Sequence, residues 1–471
     1  MPLSRIPSQA RRILPICLLV VLGVMYGIAS FAPAIGLAYS DGAALVEALT
    51  HRINGSPPLF PALLALFAAV SRQAHWLKLA PLLCSFGWLA LTRRLLLKMG
   101  ASRECSWMIA AMTAASPIVL YLATGLFPEP LFALLASASL LALLDEKPLV
   151  AGLCAGLASI TITFGATLIA ACLLTLVVGR RLRSAAIFTC AAMVFAAPWL
   201  GWSLAHGVVP FAKLHPNELG VLVGSNAMYL AASPFTLLTG IPGLYSGLLV
   251  ALGLLIALIR RRQIVPDLFF GFYCLALILR TEPPLRAFAP VLPLFLWMIW
   301  RALRVGRFAT AGKVASAAMI LPALWFGFSS LAKPTGWSEM EKLFAFIRVN
   351  TPANTVLLAD LDPVLYLNTG RTTVRGFVPD SYHSYYPPPV PLVRPDELLA
   401  SVRQDHVTYV VLTPDRELPE SADYHNAVAA LERAGVLEPV SVPGVSAEYR
   451  LLHVAHEPGD EKGKIATDEH R

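Results

Sequence analysis

Charged residues are scarce in this sequence. Only 14% of the 471 residues are Asp, Glu, Lys or Arg, 56% are apolar, and the mean hydropathy is +0.65. An ordinary soluble domain is about 25% charged and about 45–50% apolar, so a water-soluble fold of this composition would lack polar surface. The charge is also segregated: long stretches between Ile13 and Leu331 hold almost none, while Lys333 to Arg471 reads as an ordinary soluble sequence. The chain therefore divides into two regions in two solvents.

Motifs typical of soluble enzymes are missing as well. The seven cysteines all lie in or beside apolar segments, with neither a disulfide framework nor zinc-ligand spacing. The C-terminal region contains no glycine-rich phosphate loop, nucleophile elbow or paired metal motif. The formal net charge of +8 does not indicate a nucleic-acid partner, because the basic residues stand in short clusters at the ends of apolar runs, as they do in membrane proteins.

The apolar runs predict an α-helical polytopic membrane protein with about eleven transmembrane helices, since roughly 20 apolar residues cross the hydrocarbon layer. The predicted spans lie near residues 13–35, 77–98, 105–124, 128–144, 148–162, 164–179, 184–205, 241–260, 264–279, 284–303 and 309–331. The fifth and sixth spans require one apolar run to be split at Thr163-Phe164-Gly165. We interpret the first run as an uncleaved helix, because it is too long for a signal peptide and more spans follow it.

Lysine and arginine are unevenly distributed between the two sides of these spans. Placing the N-terminus in the cytoplasm puts most of them in inner loops, which is the usual bias, and places the C-terminal region outside the cytoplasm. The short basic loops favour a bacterial plasma membrane. The sequence thus predicts a transmembrane domain over 1–334, an extracytoplasmic α/β domain over 335–456 and a charged, disordered tail over 457–471.

Two predicted outer loops have features beyond simple connection. In the first, Pro57-Pro58 precedes the apolar stretch Leu59 to Val70, which is short for a span and predicts an amphipathic helix in the membrane interface. The second loop is long and runs from Ala205 to Thr239.

In the C-terminal domain, alternating patterns predict strands at 355–360, 373–378, 408–414 and 437–452, with helices near 338–350, 395–404 and 424–434.

Ionisable side chains near the predicted outer face are the candidate functional residues, because a charge close to lipid is costly without a partner or a function. They are Asp41, Glu47, His51, Glu129, His206, His215, Arg280 and Arg286. Several have a simpler structural explanation. Asp41 would cap a helix over 42–53, Glu129 would be an acid at a helix N-terminus, and Arg280 and Arg286 would form a local ion pair with Glu282.

The order of these motifs is more specific than any one of them. Asp41 follows the first span and is itself followed by SPPLFPALLAL (56–66), PEPLFALLASASLLALL (128–144), AGLCAGLASITITFGATLIAA (151–171), APWLGWSLAHG (197–207) and RAFAPVLPLF (286–295). In this order the chain resembles the GT-C membrane glycosyltransferases that use polyprenyl-phosphate sugars, in particular the protein O-mannosyltransferase and aminoarabinose transferase group. The soluble segment 347–371 also resembles the extracytoplasmic domain that many bacterial members carry.

The resemblance implies an inverting transferase that moves a hexosyl or pentosyl group from a polyprenyl-phosphate donor to a lipid, glycan or protein acceptor. It implies catalytic roles for Asp41 and Glu129, donor-phosphate binding by Arg280 and Arg286, and substrate contacts by Glu47, His51, His206 and His215. Asp41 and Glu129 are also the candidate ligands of a divalent cation, Mg²⁺ or Mn²⁺. Two other function classes stay open: a secondary transporter, although mid-span positions are almost all apolar and no repeat is found, and a catalytically silent membrane scaffold.

Overall fold

The computed structural model describes residues 8–31, 57–206, 223–228, 230, 264–279, 286–303, 324–325, 337–376, 393–414 and 419–455. These residues form two compact units, one helical and one that contains a small mixed sheet from Trp337 onward. The predominantly helical class is confirmed. The predicted domain boundary at 334 and the tail from 457 lie outside the described residues, and both stay predictions.

The helical unit is built from helices of very different length. Its described helices are α1 (Ser8–Phe31), α2 (Leu59–Ala68), α3 (Ala74–Leu77), α4 (Leu79–Lys98), α5 (Arg103–Ala115), α6 (Pro117–Thr124), α7 (Glu129–Leu144), α8 (Pro148–Ser159), α9 (Gly165–Val178), α10 (Leu182–Ala205), α11 (Ile264–Ile278), a 3₁₀ helix (Arg286–Val291) and α12 (Leu292–Leu303). The break between α8 and α9 falls at the predicted site, because residues 160–164 form turns.

Two described stretches, His75–Lys98 and Leu182–Ala205, are long and apolar enough to cross a membrane. The pair α5 and α6 adds a third if it is counted as one bent span. The count of eleven spans is therefore not confirmed and stays a prediction. Some predicted spans lie outside the described residues, and others correspond to helices of 10–17 residues, which are shorter than the hydrocarbon layer is thick.

The predicted span 105–124 is two helices rather than one. Ser116 accepts a hydrogen bond from the backbone N–H of Val119 at 3.4 Å, and Pro117 occupies the first helical position. A proline lacks the N–H that would continue the preceding helix and is well suited to start a new one. The two helices consequently meet at an angle of 67°.

Glycines bring α8 and α10 into close contact. A Cβ atom at Gly152 would lie 2.3 Å from the carbonyl oxygen of Phe188, and one at Gly156 would lie 2.4 Å from that of Ala192. Small residues four apart on one helix face allow two backbones to approach, which is a common packing mode inside membranes. No larger side chain fits at either position without separating these two helices.

The second unit contains a five-stranded sheet. Its elements are α13 (Trp337–Asn350), β1 (Val356–Ala359), α14 (Asp362–Thr369), β2 (Thr372–Arg375), α15 (Pro395–Gln404), β3 (Tyr409–Leu412), α16 (Pro419–Arg433), β4 (Leu437–Val440) and β5 (Arg450–Val454). The strand order is β2-β1-β3-β5-β4, in which β2, β1 and β3 are parallel and β5 is antiparallel to both neighbours. Leu358, Val410 and Leu452 stand in register across the sheet and pack with α15 and α16 in one core.

Candidate functional site

Two ion pairs define one end of the helical unit. Lys98 closes α4 and lies 2.5 Å from Asp145, which follows α7, while Arg181 lies 2.9 Å from Glu146. Since α4 and α7 both finish at this end, which we call the basic end, the two helices run parallel. Their first residues therefore lie at the opposite end, which we call the site end.

The proline-proline-leucine motif also lies at the site end. Helix α8 starts near the basic end and leads away from it, so the turn after Ser159 lies at the site end. There the backbone N–H of Leu59 donates to the carbonyl of Ile160 at 3.0 Å. The predicted interfacial helix is observed as α2, with Phe60 and Leu64 fully buried and Leu66 exposed; its position relative to a bilayer stays a prediction.

Glu129 begins α7 at the site end. It stands between Pro128 and Pro130, and a proline near a helix start removes no hydrogen bond that the helix needs. The Glu129 side chain is only 7% exposed, and its Oε1 lies 3.3 Å from Nε of Arg286. Its other oxygen, Oε2, is buried and has no hydrogen-bond partner in the part of the chain that the structure describes. This oxygen can accept a hydrogen bond from a ligand.

Arg286 belongs to a distant part of the chain. It starts the 3₁₀ helix, its guanidinium lies over the ring of Phe127 at 5.4 Å, and 30% of its side chain is exposed. Phe127 is fully buried, so the aromatic face and the carboxylate hold the guanidinium from two sides. The local fold depends on Pro290, which has no N–H for the carbonyl of Ala287; the hydroxyl of Tyr273 donates to that carbonyl instead, at 2.7 Å.

Lys78 is a further cation at the site end. It precedes α4 directly and is only 1% exposed, which is unusual for lysine. Lys78 is not among the candidate residues that the sequence predicts. A lysine at the start of a long apolar run was the available signal, although such a lysine usually extends to the membrane surface. The site end thus carries two cationic groups, Lys78 and Arg286, and the buried carboxylate of Glu129.

Of the predicted site residues, the structure brings Glu129 and Arg286 together. His206 lies just after α10, exposed to solvent, with its ring stacked on Trp202 at 4.4 Å. Five further candidates lie outside the described residues: Asp41, Glu47, His51, Arg280 and His215.

The predicted metal site is not formed by the described residues alone. Within the ranges that the structure covers, no three His, Cys, Asp or Glu side chains gather in a way that could hold a metal ion. Glu129 offers one oxygen that has no partner among the described residues, but its other oxygen faces a guanidinium, which already compensates its charge. A cation at this site would need ligands from elsewhere, and the assignment of Asp41 stays a prediction.

Comparison with solved structures gives the identity of the fold. ArnT from Cupriavidus metallidurans bound to undecaprenyl phosphate is 14% identical, with a TM-score of 0.58 over 95% of this chain and 98% of that chain. The apo state of the same protein is 11% identical, with a TM-score of 0.56 over 94% of this chain and 98% of that chain. A third similar structure is the archaeal oligosaccharyltransferase AglB from Archaeoglobus fulgidus, in complex with an inhibitory peptide and a dolichol-phosphate. It is 10% identical, with a TM-score of 0.51 over 94% of this chain and 74% of that chain.

No protein-family model matches the sequence, and no curated protein matches it. The structural likeness extends over nearly the full length of both this chain and ArnT, and it confirms the expected resemblance at the level of the fold. The chain has the fold of the GT-C glycosyltransferases.

Proposed function

We propose that this chain is a membrane glycosyltransferase that moves a sugar from a polyprenyl-phosphate donor to an acceptor at the extracytoplasmic face. The observation that carries the proposal is the Glu129–Arg286 pair, which is formed by distant segments at one end of a fold shared with ArnT. The solved ArnT structure contains undecaprenyl phosphate, and the AglB structure contains a dolichol-phosphate. Both ligands are phosphorylated polyprenols, which supports the choice of donor class.

The reaction requires charge compensation. The acceptor hydroxyl or amine attacks the anomeric carbon, the bond from that carbon to the phosphate oxygen breaks, and polyprenyl phosphate leaves with the bonding electrons. Negative charge therefore grows on the phosphate, and cationic groups placed there stabilise the transition state. Arg286 and Lys78 suit this role, because guanidinium and ammonium groups both bind phosphate oxygens. Arg280 is proposed as a further phosphate contact.

A proton must leave the acceptor in the same step, and a carboxylate is the group that can receive it. We assign this role to Asp41, and we assign to Glu129 the placement of both substrates. Glu129 Oε1 holds Arg286, and Oε2, which has no partner among the described residues, can accept a hydrogen bond from the acceptor. An inverting outcome follows if the acceptor attacks from the side opposite the phosphate. Glu47, His51, His206 and His215 are proposed as contacts at the edge of this site.

The orientation of the site also follows from charge. Lys98 lies in the last turn of α4 at the basic end, Arg93 and Arg94 lie in the half of α4 nearer that end, and Arg181 lies at that end as well. Because basic residues collect on the cytoplasmic side, we place the basic end in the cytoplasm and the site end outside it. A polyprenyl donor in the outer leaflet of a bacterial plasma membrane could then reach the site. The extracytoplasmic location of the second unit is proposed from the distribution of Lys and Arg in the sequence alone.

The test uses the full chain in nanodiscs supplied with polyprenyl-phosphate sugars and a membrane extract as the acceptor source. We expect Glu129→Gln and Asp41→Asn to lower the release of polyprenyl phosphate by at least tenfold, which corresponds to about 1.4 kcal/mol of transition-state stabilisation. Arg286→Gln and Lys78→Met should weaken the binding of polyprenyl phosphate.

The control is the Lys98–Asp145 pair, an ion pair between helices of the same unit at the basic end. The double variant Lys98→Gln with Asp145→Asn should leave both the release and the binding of polyprenyl phosphate unchanged. Equal losses in the control and in the site variants would indicate a folding defect. Unchanged turnover in Glu129→Gln and Asp41→Asn, with all proteins folded, would refute the proposal. Uptake of a labelled solute without sugar transfer would favour a transporter.

A further inference from the structure

A small cavity lies inside the helical unit, between α4, α7, α11 and the segment where the 3₁₀ helix meets α12. Its volume is about 10 Å³ for the centre of a water-sized sphere, which is close to the space that one water molecule needs. Among its lining residues are Trp88, Thr92, Ser137, Phe269, Pro290 and Pro293. The cavity is therefore too small for a substrate or a lipid chain.

The cavity lies inward of the Glu129–Arg286 pair on the same two elements. Ser137 follows Glu129 by eight residues on α7, a rise of about 12 Å at 1.5 Å per residue. Pro290 follows Arg286 by four residues in the 3₁₀ helix. The cavity thus lies beside α7 and the 3₁₀ segment within the helical core.

The lining is mainly apolar, but it includes three residues with polar groups: Trp88, Thr92 and Ser137. Trp88 is 2% exposed, and its indole Nε1 has no hydrogen-bond acceptor in the part of the chain that the structure describes. A buried N–H group without a partner costs about 1–3 kcal/mol. The lining also includes the hydroxyl-bearing side chains of Thr92, which belongs to α4, and Ser137, which belongs to α7. Empty cavities in proteins are apolar, whereas polar ones of this size hold water.

We propose that this cavity binds one structural water molecule. The water accepts a hydrogen bond from Trp88 Nε1 and bonds to the hydroxyls of Thr92 and Ser137. Since Trp88 and Thr92 belong to α4 and Ser137 to α7, the water links these two helices in the interior of the unit. It gives α4 and α7 a polar connection between the Lys98–Asp145 pair at one end and the Glu129 site at the other.

The experiment is X-ray radiolytic footprinting of the full chain in nanodiscs prepared in ¹⁸O-labelled water, in which radiolysis converts a bound water molecule to a hydroxyl radical that oxidises the side chain beside it. We expect Trp88 to be oxidised several times faster than Trp297. Trp297 is the matched control because it is equally buried, at 3% exposure, its Nε1 likewise lacks a partner among the described residues, and it does not line the cavity. Similar rates at the two tryptophans would overturn the proposal.

A double variant, Thr92→Val with Ser137→Ala, adds a second measurement. It removes both hydroxyls at nearly constant volume, and we expect the oxidation of Trp88 to fall to the rate of Trp297. An unchanged rate at Trp88 in a folded double variant would contradict the proposed bonds. If the variant does not fold, the comparison of the two tryptophans in the unmodified chain decides the question alone.

Discussion

Asp360 should make the stability of the second unit depend on pH. This residue follows β1, is 2% exposed, and accepts hydrogen bonds from the Leu361 N–H at 2.9 Å and from the Thr413 hydroxyl at 2.7 Å. Burial raises its pKa to about 7, although these hydrogen bonds act in the opposite direction. The folded unit therefore keeps this proton up to about pH 7, while the unfolded chain loses it near pH 4.

The sign and size of the effect follow from this difference. A group whose pKa is raised in the folded state binds its proton more tightly there, so the free energy of unfolding falls as the pH rises from about 4 to about 7. Relative to the ordinary value of 3.8, a pKa of about 7 corresponds to about 4 kcal/mol, at about 1.4 kcal/mol per pKa unit. Asp360→Asn removes the titration and keeps a carbonyl oxygen for the Leu361 N–H. The variant should match the original chain near pH 4 and exceed its stability at pH 8.

Hydrogen–deuterium exchange of the full chain measures this locally. Peptides that span β1 and β3 should exchange more slowly in Asp360→Asn than in the original chain at pH 8, and the difference should vanish as the pH approaches 4. Thr369→Val is the control, because its hydroxyl is also buried in this unit but bonds to the carbonyl of Leu365. The difference in exchange rate between Thr369→Val and the original chain should be the same at pH 4 and at pH 8. A constant difference for Asp360→Asn would refute the raised pKa.

Two further predictions concern the helical unit. Gly152→Ala should lower the melting temperature of the protein, because its Cβ would meet the carbonyl oxygen of Phe188. The control is Gly201→Ala in α10, where no atom lies within 4 Å of the added Cβ, and this variant should leave the melting temperature unchanged or raise it. Equal melting temperatures for the two variants would contradict the close packing at Gly152. Asp267→Asn should lower the free energy of unfolding by about 3–5 kcal/mol, because it leaves the partly buried Arg301 without the carboxylate that pairs with it. Adding Arg301→Met should restore most of that loss in denaturant unfolding, and no restoration would argue against the pair.

Local patterns in the sequence predicted several elements well. The predicted split of one apolar run near Thr163-Phe164-Gly165 is observed, because α8 ends at Ser159 and α9 begins at Gly165. Helix α14 was missed, although Pro363 near its start and Gly370 at a φ of 68° after its end are ordinary helix boundaries. Of the predicted strand 373–378, residues 373–375 lie in β2, Gly376 forms a bend, and residues 377–378 lie outside the described residues.

The candidate site was harder to predict because its parts are distant in sequence. Glu129 and Arg286 each had a sufficient local explanation, and only their contact across 157 positions distinguishes a site from two unrelated features. Lys78 could not be ranked at all, since its burial depends on how α4 packs. The resemblance supplied the missing information, because the order of degenerate motifs along the chain reflects a shared fold even where single residues are uninformative.

The short hairpin of α8 and α9 has a consequence for the surrounding lipid. Its helices of 12 and 14 residues rise about 18 and 21 Å, against about 30 Å of hydrocarbon. Helix α9 exposes a stripe of Ala166, Ala170, Leu174 and Val177 along this reduced length. Such a hydrophobic mismatch is relieved by local thinning of the bilayer. Thinning on the site side would lower the headgroup plane beside the hairpin and bring lipid phosphates closer to the depth at which the protein turns back on itself.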